Sequence, residues 1–140
     1  MQRFLVAAAL LSVSIVANAQ SLRPDHPIIG SWKLTLPNSS CYEVYLFRAN
    51  GTTLVTSGED IGESEFTVSD QPSPKGFYKW VDRIVKDNGK KDCVGETMVI
   101  GDVVTKYLRF KPSGDMFLIC DTEDLKSCIG PLVKVKGSDA

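Results

Sequence analysis

The sequence predicts an all-β protein, a single antiparallel up-and-down β-barrel of about eight strands. Short segments in which apolar and polar residues alternate recur along the chain, and such alternation is typical of half-buried strands. Turns rich in glycine, asparagine, aspartate and proline separate these segments at hairpin distances. No segment has an amphipathic helical period of useful length. A β-sandwich is the alternative architecture, but only a barrel seals its edge strands against each other.

Residues 1–19 have the pattern of a signal peptide. Residues 4–16 are apolar apart from two serines, and Ala17 and Ala19 give the small-x-small form of a cleavage site. The apolar run is too short to span a bilayer, which takes about 20 residues. We therefore expect cleavage after Ala19 and a single domain over residues 20–140. The protein is expected to be exported, periplasmic or secreted, without stable membrane insertion.

Charge and length restrict the classes of protein further. The 140 residues carry 16 Lys and Arg against 17 Asp and Glu, a net charge of −1, with acids and bases interspersed. Because no basic stripe is present, we expect no nucleic-acid partner. A chain of this length has room for one hydrophobic core.

The first strand is predicted over residues 29–36, where the alternation is strict. Trp32 shares a face with the two leucines that follow it, and Gly30 permits a sharp turn before it. We expect Trp32 to be a structural core residue. Residues 21–27 contain two prolines and the only histidine, His26, so they predict an extended lead-in with His26 on the surface.

The second strand is predicted over residues 41–49, in one of two registers. If Phe47 points inward, Glu43 and Tyr45 do so too, which leaves a carboxylate and a phenol within the barrel. The opposite register buries the valine and the leucine of this segment and leaves Glu43 in solvent. We favour the second register because apolar side chains are buried by default.

One hairpin and two polar loops follow. Asn50-Gly51 marks a tight turn into a strand over residues 52–56. Residues 57–64 predict a polar loop, and the alternation resumes over residues 65–69. Two prolines in residues 70–76 lack the backbone donor that a strand needs, so this segment predicts a second loop.

The most aromatic strand is predicted over residues 77–85. Tyr78, Trp80 and Asp82 share one of its faces. Two aromatic residues and an acid either line a cavity or belong to the core, with Asp82 at its rim.

The remaining strands are short. They are predicted over residues 97–100, 103–110, 116–121 and 132–135. Residues 122–127 predict a helical turn. The total is eight or nine strands, which suits a barrel.

All four cysteines follow the predicted cleavage site, at Cys41, Cys93, Cys120 and Cys128. An even number in an oxidising compartment predicts two disulfides. Cys120 and Cys128 flank one loop, which favours a Cys120–Cys128 pair and, by elimination, Cys41–Cys93. A four-thiolate zinc site is the alternative, but its paired short spacings are absent. We expect no metal and no cofactor.

Gly30 and Trp32 at the head of the first strand resemble the lipocalin and calycin superfamily, whose members begin a closed eight-stranded barrel with Gly-x-Trp. The resemblance implies that a basic residue near the end of the last strand covers this tryptophan. Lys134 or Lys136 fits that role. The resemblance also favours a barrel that holds a small molecule.

The sequence favours a non-catalytic binding protein that holds a small apolar or aromatic ligand. A single histidine argues against Ser-His-Asp or Cys-His catalysis, so a hydrolase ranks third. The alternative is a protein-interaction module, such as a periplasmic inhibitor or envelope accessory protein, that uses the polar loops. The candidate ligand-binding residues are Glu43, Tyr45, Tyr78, Trp80 and Asp82.

Overall fold

The computed structural model describes residues 20–137, which contain eight β-strands and no helix. The strands are β1 (Gly30–Thr35), β2 (Tyr42–Phe47), β3 (Thr52–Ser57), β4 (Asp60–Val68), β5 (Tyr78–Asp87), β6 (Val103–Phe110), β7 (Met116–Cys120) and β8 (Cys128–Lys134). Each pairs antiparallel with the next, and β8 pairs with β1, which closes an up-and-down barrel. The predicted fold class is confirmed, and the sandwich is excluded. The predicted signal peptide lies outside the described residues.

Residues 20–29 cross one end of the barrel, here called the packed end. The backbone N–H of Leu22 donates to the carbonyl oxygen of Ala49 at 2.7 Å. Gly30 has φ of 128°, a conformation that favours glycine, and it turns the chain into β1. The core lies at this end. Its largest fully buried side chains include Trp32, Phe47, Phe66, Leu108 and Phe117.

A long loop, residues 88–102, crosses the opposite end and is called the strap. It leaves β5, contacts β4 and β3, and reaches the start of β2, where Cys93 forms a disulfide with Cys41. It then returns to β5, where the N–H of Gly101 donates to the carbonyl oxygen of Ile84 at 2.8 Å. The strap is therefore held at both ends and pinned near its middle.

Both predicted disulfides, Cys41–Cys93 and Cys120–Cys128, are confirmed. No free cysteine occurs in the described part of the chain, so the zinc alternative is wrong. Disulfide bonds are typical of a non-reducing environment.

Several predicted element boundaries differ from the structure. Residues 97–100 form part of the strap rather than a strand, and residues 122–127 form turns and bends rather than a helical turn. The predicted loop over residues 57–64 is a tight turn followed by β4, which begins at Asp60. β8 begins at Cys128, because the disulfide with Cys120 sets that pair directly opposite each other.

His26 is buried, with 3% of its surface exposed, so its predicted surface position is wrong. Its Nδ1 accepts a hydrogen bond from the N–H of Ile28 at 3.3 Å, which leaves Nε2 to donate to the carbonyl oxygen of Ser69 at 3.0 Å. Its ring meets that of Tyr78 edge to face, at 5.3 Å between centroids. Burial lowers the pKa of His26. The neutral ring therefore ties the lead-in to the end of β4.

Candidate functional site

The interior of the barrel changes from apolar at the packed end to acidic at the strap end. Phe47 is fully buried and pairs with Gly30, and residues at intervals of two along β2 share its face. Glu43 and Tyr45 therefore point inward. The register that we favoured, with Glu43 in solvent, is wrong. Burial of the Phe47 ring sets the alternation of β2, and the two smaller aliphatic side chains follow on the outer face.

Glu43 is the centre of a hydrogen-bonded network. The hydroxyl of Tyr45 donates to Oε2 of Glu43 at 2.5 Å, and the hydroxyl of Ser57 donates to Oε1 at 2.8 Å. The backbone N–H of Cys93 in turn donates to Oγ of Ser57 at 3.0 Å. Burial raises the pKa of Tyr45 well above its usual value, and the charge of Glu43 adds to the effect. The phenol therefore stays protonated, and the network joins β2, β3 and the strap.

A cavity with about 30 Å³ of room for water-sized groups lies in the same half of the barrel. Asp60, Gly62 and Ser64 alternate along β4 on the interior face, and Gly62 has no side chain to fill the space between its neighbours. A water-sized group needs at least about 10–15 Å³ of such room, so the cavity holds about two. The lining residues are Val55, Asp60, Gly62, Glu63, Ser64, Asp82, Ile84 and Met98.

Asp82 is one of two buried carboxyl groups in this lining. It is 8% exposed and accepts a hydrogen bond from the hydroxyl of Ser64 at 2.6 Å. Burial raises the pKa of Asp82 to about 6, against the lowering effect of the Ser64 hydrogen bond. The charged form is disfavoured because too few hydrogen bonds replace its hydration.

Asp60 is the second buried carboxyl group and is only 2% exposed. Burial raises the pKa of Asp60 to about 6, and a hydrogen bond with Asp87 and the charges of Asp87, Asp92 and Glu43 act in the same direction. Apart from this mutual contact, Oδ1 of Asp60 and Oδ1 of Asp87 receive no hydrogen bond in the described part of the chain. Two carboxyl groups that face each other can share a proton, but once both are charged no ion pair among residues 20–137 compensates them.

The acids at this end of the barrel differ from those on its outer surface in their lack of ion pairs among the described residues. Within residues 20–137, no ion pair involves Glu43, Asp60 or Asp82. The ion pair next to the cavity, Lys86 with Glu63, spans 3.3 Å between mostly exposed side chains. The strap end of the barrel therefore combines a small cavity with three acidic side chains, Glu43, Asp60 and Asp82, that form no ion pair with any described residue.

The structure divides the predicted ligand-binding residues among three places. Asp82 lines the cavity, and Glu43 and Tyr45 form the adjoining hydrogen-bonded network. Tyr78 and Trp80 belong to the aromatic packing instead. The ring centroids of Trp80 and Phe47 are 5.9 Å apart, and those of Tyr78 and Phe110 are 5.5 Å apart.

Sequence reasoning missed Asp60, Gly62, Ser64 and Met98. The first three continue the period of two that ends in Phe66 and Val68. That continuation was a usable signal, but the two glycines and three acids around it were interpreted as a loop. Met98 had no signal, because only the path of the strap brings it to the cavity.

Lys134 lies against the structural tryptophan. Its Nζ is 5.4 Å from the centroid of the Trp32 ring, and Lys134 and Trp32 pair directly between β8 and β1. A cation over an indole face is stabilising. This contact has the arrangement that the Gly-x-Trp resemblance implied for either Lys134 or Lys136.

The strap exposes a set of apolar side chains. Val94, Val99 and Ile100 are 57–66% exposed, and Val103 at the start of β6 is equally open. Met98, which lines the cavity, and Val104, which pairs with Asp82, are about two-fifths exposed. Exposed apolar side chains mark a binding surface when they form a contiguous patch.

The site is a closed barrel of eight antiparallel strands with an acidic cavity at one end, an architecture compatible with a lipocalin-like barrel. Comparison with protein-family models, curated proteins and solved structures found no significant match to this chain. In the described residues, no group of three or more His, Cys, Asp or Glu side chains could hold a metal ion. No helix in that part of the chain is long and apolar enough to cross a membrane.

Proposed function

We propose that this protein is an exported, non-catalytic binding protein with a lipocalin-like barrel that holds a small molecule at its strap end. The observation that carries the proposal is the cavity at Gly62, which the buried carboxyl groups of Asp60 and Asp82 line together with the partly exposed apolar side chains of Val55, Ile84 and Met98. Ligand sites are typically concave and apolar, with a few polar groups that fix orientation. The opposite end is filled by aromatic packing, and its buried polar residues in the described part of the chain, His26 and Thr53, include no carboxyl group.

The size of the cavity limits how such a ligand binds. Room for about two water-sized groups accommodates a polar head group but no larger body. The rest of the ligand then lies outside the cavity, against the side chains of Met98 and Val104. Val104 pairs with Asp82 between β6 and β5, so the two side chains project from the same face of the sheet.

Native mass spectrometry of protein isolated from its own cell envelope tests this function. We expect a co-purifying small molecule and a mature chain that begins at Gln20, after signal-peptide cleavage. Gly62→Ala adds a methyl group at a residue that lines the cavity, in ordinary contact with the carbonyl oxygen of Lys86 at 3.5 Å and with Oδ1 of Asp87 at 3.6 Å. The variant should therefore fold and lose the adduct. A bare chain, or an adduct that survives this change, contradicts the proposal.

The apolar strap favours a second function, recognition of another protein. Val94, Val99 and Ile100 stand on a loop that a disulfide pins to the barrel, and functional contacts are often made by loops on a rigid scaffold. This function corresponds to a periplasmic inhibitor or an envelope accessory protein. Affinity capture from the same extract tests it, with Val99→Ser and Ile100→Ser compared against Ile129→Ser at an equally exposed position. A partner retained by all three variants does not bind through the strap.

A further inference from the structure

We infer that Asp60 and Asp87 share one proton and form a pH-sensitive latch, which holds the first residues of the strap on the barrel and loosens them when the proton is lost. These first residues, 88–92, are called the strap root. The inference goes beyond the proposed function, because it concerns a conformational change of the chain itself and requires no ligand.

The two carboxyl groups meet over the space that Gly62 leaves open. Gly62 pairs with Asp87 between β4 and β5, and Asp60 lies two residues before Gly62 on the same face of β4. A Cβ atom at Gly62 would lie 3.6 Å from Oδ1 of Asp87, so the Asp87 side chain extends over the glycine. Asp60 is thus the diagonal neighbour of Asp87, and the two carboxyl groups form a hydrogen bond.

A hydrogen bond between two carboxyl groups requires a proton on one of them. Oδ1 of Asp60 and Oδ1 of Asp87 are both buried, and apart from this mutual contact neither receives a hydrogen bond from residues 20–137. An ionised carboxyl group only accepts hydrogen bonds, so two ionised groups here would repel each other with no donor between them. One shared proton satisfies both oxygens at once.

Asp87 also holds the strap root directly. Its second oxygen, Oδ2, accepts a hydrogen bond from the backbone N–H of Gly89 at 2.7 Å. The same carboxyl group therefore faces Asp60 with one oxygen and the strap with the other. A change in the orientation of the Asp87 carboxyl group consequently acts on the strap without an intermediate residue.

Asp60 lies between the two residues that hold the strap root from the other side. Nδ2 of Asn88 donates to the carbonyl oxygen of Glu59 at 2.9 Å, and the N–H of Glu59 donates to the carbonyl oxygen of Lys91 at 3.2 Å. The N–H of Asn88 donates to the carbonyl oxygen of Ile61, also at 3.2 Å. Movement of Asp60 away from its partner therefore shifts the backbone on both sides of it and weakens these three contacts.

The groups around the pair set the pH at which the latch loosens. Besides Asp87 on β5, Asp60 faces the charges of Asp92 in the strap and Glu43 on β2, whereas Ser57, opposite Asp60 on β3, carries no charge. No ion pair among residues 20–137 includes Asp60 or Asp87. Burial, the contact with Asp87 and the acidic neighbours raise the pKa of Asp60 to about 6. The latch is therefore closed below about pH 6 and loosens as the pH rises through that value.

Amide hydrogen exchange at pH 5 and pH 8, with both disulfides intact, tests the latch. The rates are expressed as protection factors, which removes the intrinsic pH dependence of exchange. We expect protection at the amides of Glu59, Asn88 and Gly89 to fall at least about 10-fold from pH 5 to pH 8, since the closed state loses its proton between them. Unchanged protection at these amides would overturn the inference.

Asp87→Asn replaces the shared proton with a fixed donor. Its amide N–H can donate to Asp60 while its oxygen still accepts from Gly89, so these amides should be protected equally at pH 5 and pH 8. Glu59→Gln is the matched control, because it removes an exposed carboxylate next to Asp60 and leaves the pair intact. Its pH dependence should match that of the unaltered protein. If the Asp87→Asn protein keeps the pH dependence, or the Glu59→Gln protein loses it, general charge repulsion replaces the latch.

Carbon-13 NMR of the side-chain carboxyl carbons observes the shared proton in the unaltered protein and needs no variant. The resonances of Asp60 and Asp87 should both move in one step near pH 6, because two coupled acids titrate as a pair. If each resonance instead moves independently, near the ordinary aspartate value of about 3.9, the two groups share no proton and the latch is wrong.

Discussion

The hydroxyl of Tyr45 donates a hydrogen bond to Oε2 of Glu43, two residues away on β2, at 2.5 Å. Side chains two apart on a strand share a face, so one register decision places both inside the barrel. The hydrogen bond satisfies the phenol of Tyr45 and the carboxylate of Glu43, which would have no polar partner in the apolar half of the core. The acidic end of the barrel depends on such local pairing.

Tyr45→Phe tests how much that pairing stabilises the fold. The change keeps the ring but leaves Oε2 of the half-buried Glu43 without its phenol donor, and loss of such a hydrogen bond costs about 1 kcal/mol. We expect the free energy of unfolding in urea to fall by that amount. Tyr42→Phe is the control, since Tyr42 precedes Glu43 on β2 and is 51% exposed. Equal losses in the two variants would show that the hydrogen bond contributes nothing.

Asp82→Asn should stabilise the protein at neutral pH and not at acid pH. The pKa of Asp82 is raised from its ordinary 3.8 to about 6. Between pH 3.8 and about pH 6, the carboxyl group is therefore protonated in the folded state and ionised in the unfolded state. Its contribution to stability is therefore full below about pH 4 and is lost as the pH rises through about 6. A pKa difference of about two units between the folded and unfolded states corresponds to about 3 kcal/mol in the free energy of unfolding, which is an upper estimate. The asparagine oxygen can still accept from Ser64.

Urea unfolding of the unaltered protein and of the Asp82→Asn variant at pH 4, 5, 6 and 7.5 measures this pH dependence. The difference in free energy of unfolding should grow from near zero at pH 4 to its full value above pH 6. Glu65→Gln on the outer face of β4 should show no such growth. A constant difference across the series would mean that Asp82 does not titrate with a raised pKa.

Much of the fold was predictable because local patterns and tertiary burial agree. The alternation around Trp32 and the Asn50-Gly51 hairpin gave the correct strands, and the disulfide pairing followed from loop proximity. The strap was not predictable. Residues 97–100 have the apolar composition of a strand but have no neighbouring strand to pair with, because the Cys41–Cys93 bridge draws the chain across the barrel end.

The candidate site was harder to predict because it breaks the usual rule of apolar burial. Glu43, Asp60 and Asp82 all point inward, where sequence reasoning expects hydrophobic side chains. Each is accommodated by something non-local: Ser57 for Glu43, Asp87 for Asp60, and Ser64 for Asp82. Each of these partners lies on the neighbouring strand, and a single sequence does not reveal which residues face each other there.

Trp32→Ala should cost about 3–5 kcal/mol, as truncation of a large core aromatic does. The side chain is fully buried, donates to the carbonyl oxygen of Ile28 at 2.7 Å, and meets the ring of Phe117 at 4.7 Å. Lys134→Gln removes only the charge above the indole and should cost about 0.5–1 kcal/mol. Guanidinium unfolding measures both. A stable Trp32→Ala protein that loses ligand binding would instead assign the indole to the ligand.

The two disulfides should differ in what their loss does. Cys41–Cys93 closes a separation of 52 residues and Cys120–Cys128 one of 8. In the chain-entropy model, the longer loop contributes about 4 kcal/mol and the shorter about 2–3 kcal/mol. Paired Cys→Ala variants in urea give the two values. A larger loss from the Cys120–Cys128 pair would contradict the loop-length argument.

Loss of Cys41–Cys93 should also free the strap without opening the rest of the barrel. The strap is otherwise attached near Cys93 by single contacts, such as the N–H of Cys93 to Oγ of Ser57 at 3.0 Å and the N–H of Glu59 to the carbonyl oxygen of Lys91 at 3.2 Å. A segment opens locally when it has few buried contacts and when its hydrogen bonds are exposed to solvent. In the Cys41→Ala, Cys93→Ala protein, hydrogen exchange should therefore accelerate at the amides of residues 91–95 and stay slow in β1 and β7. Uniform acceleration would instead show that the strap and the barrel unfold as one unit.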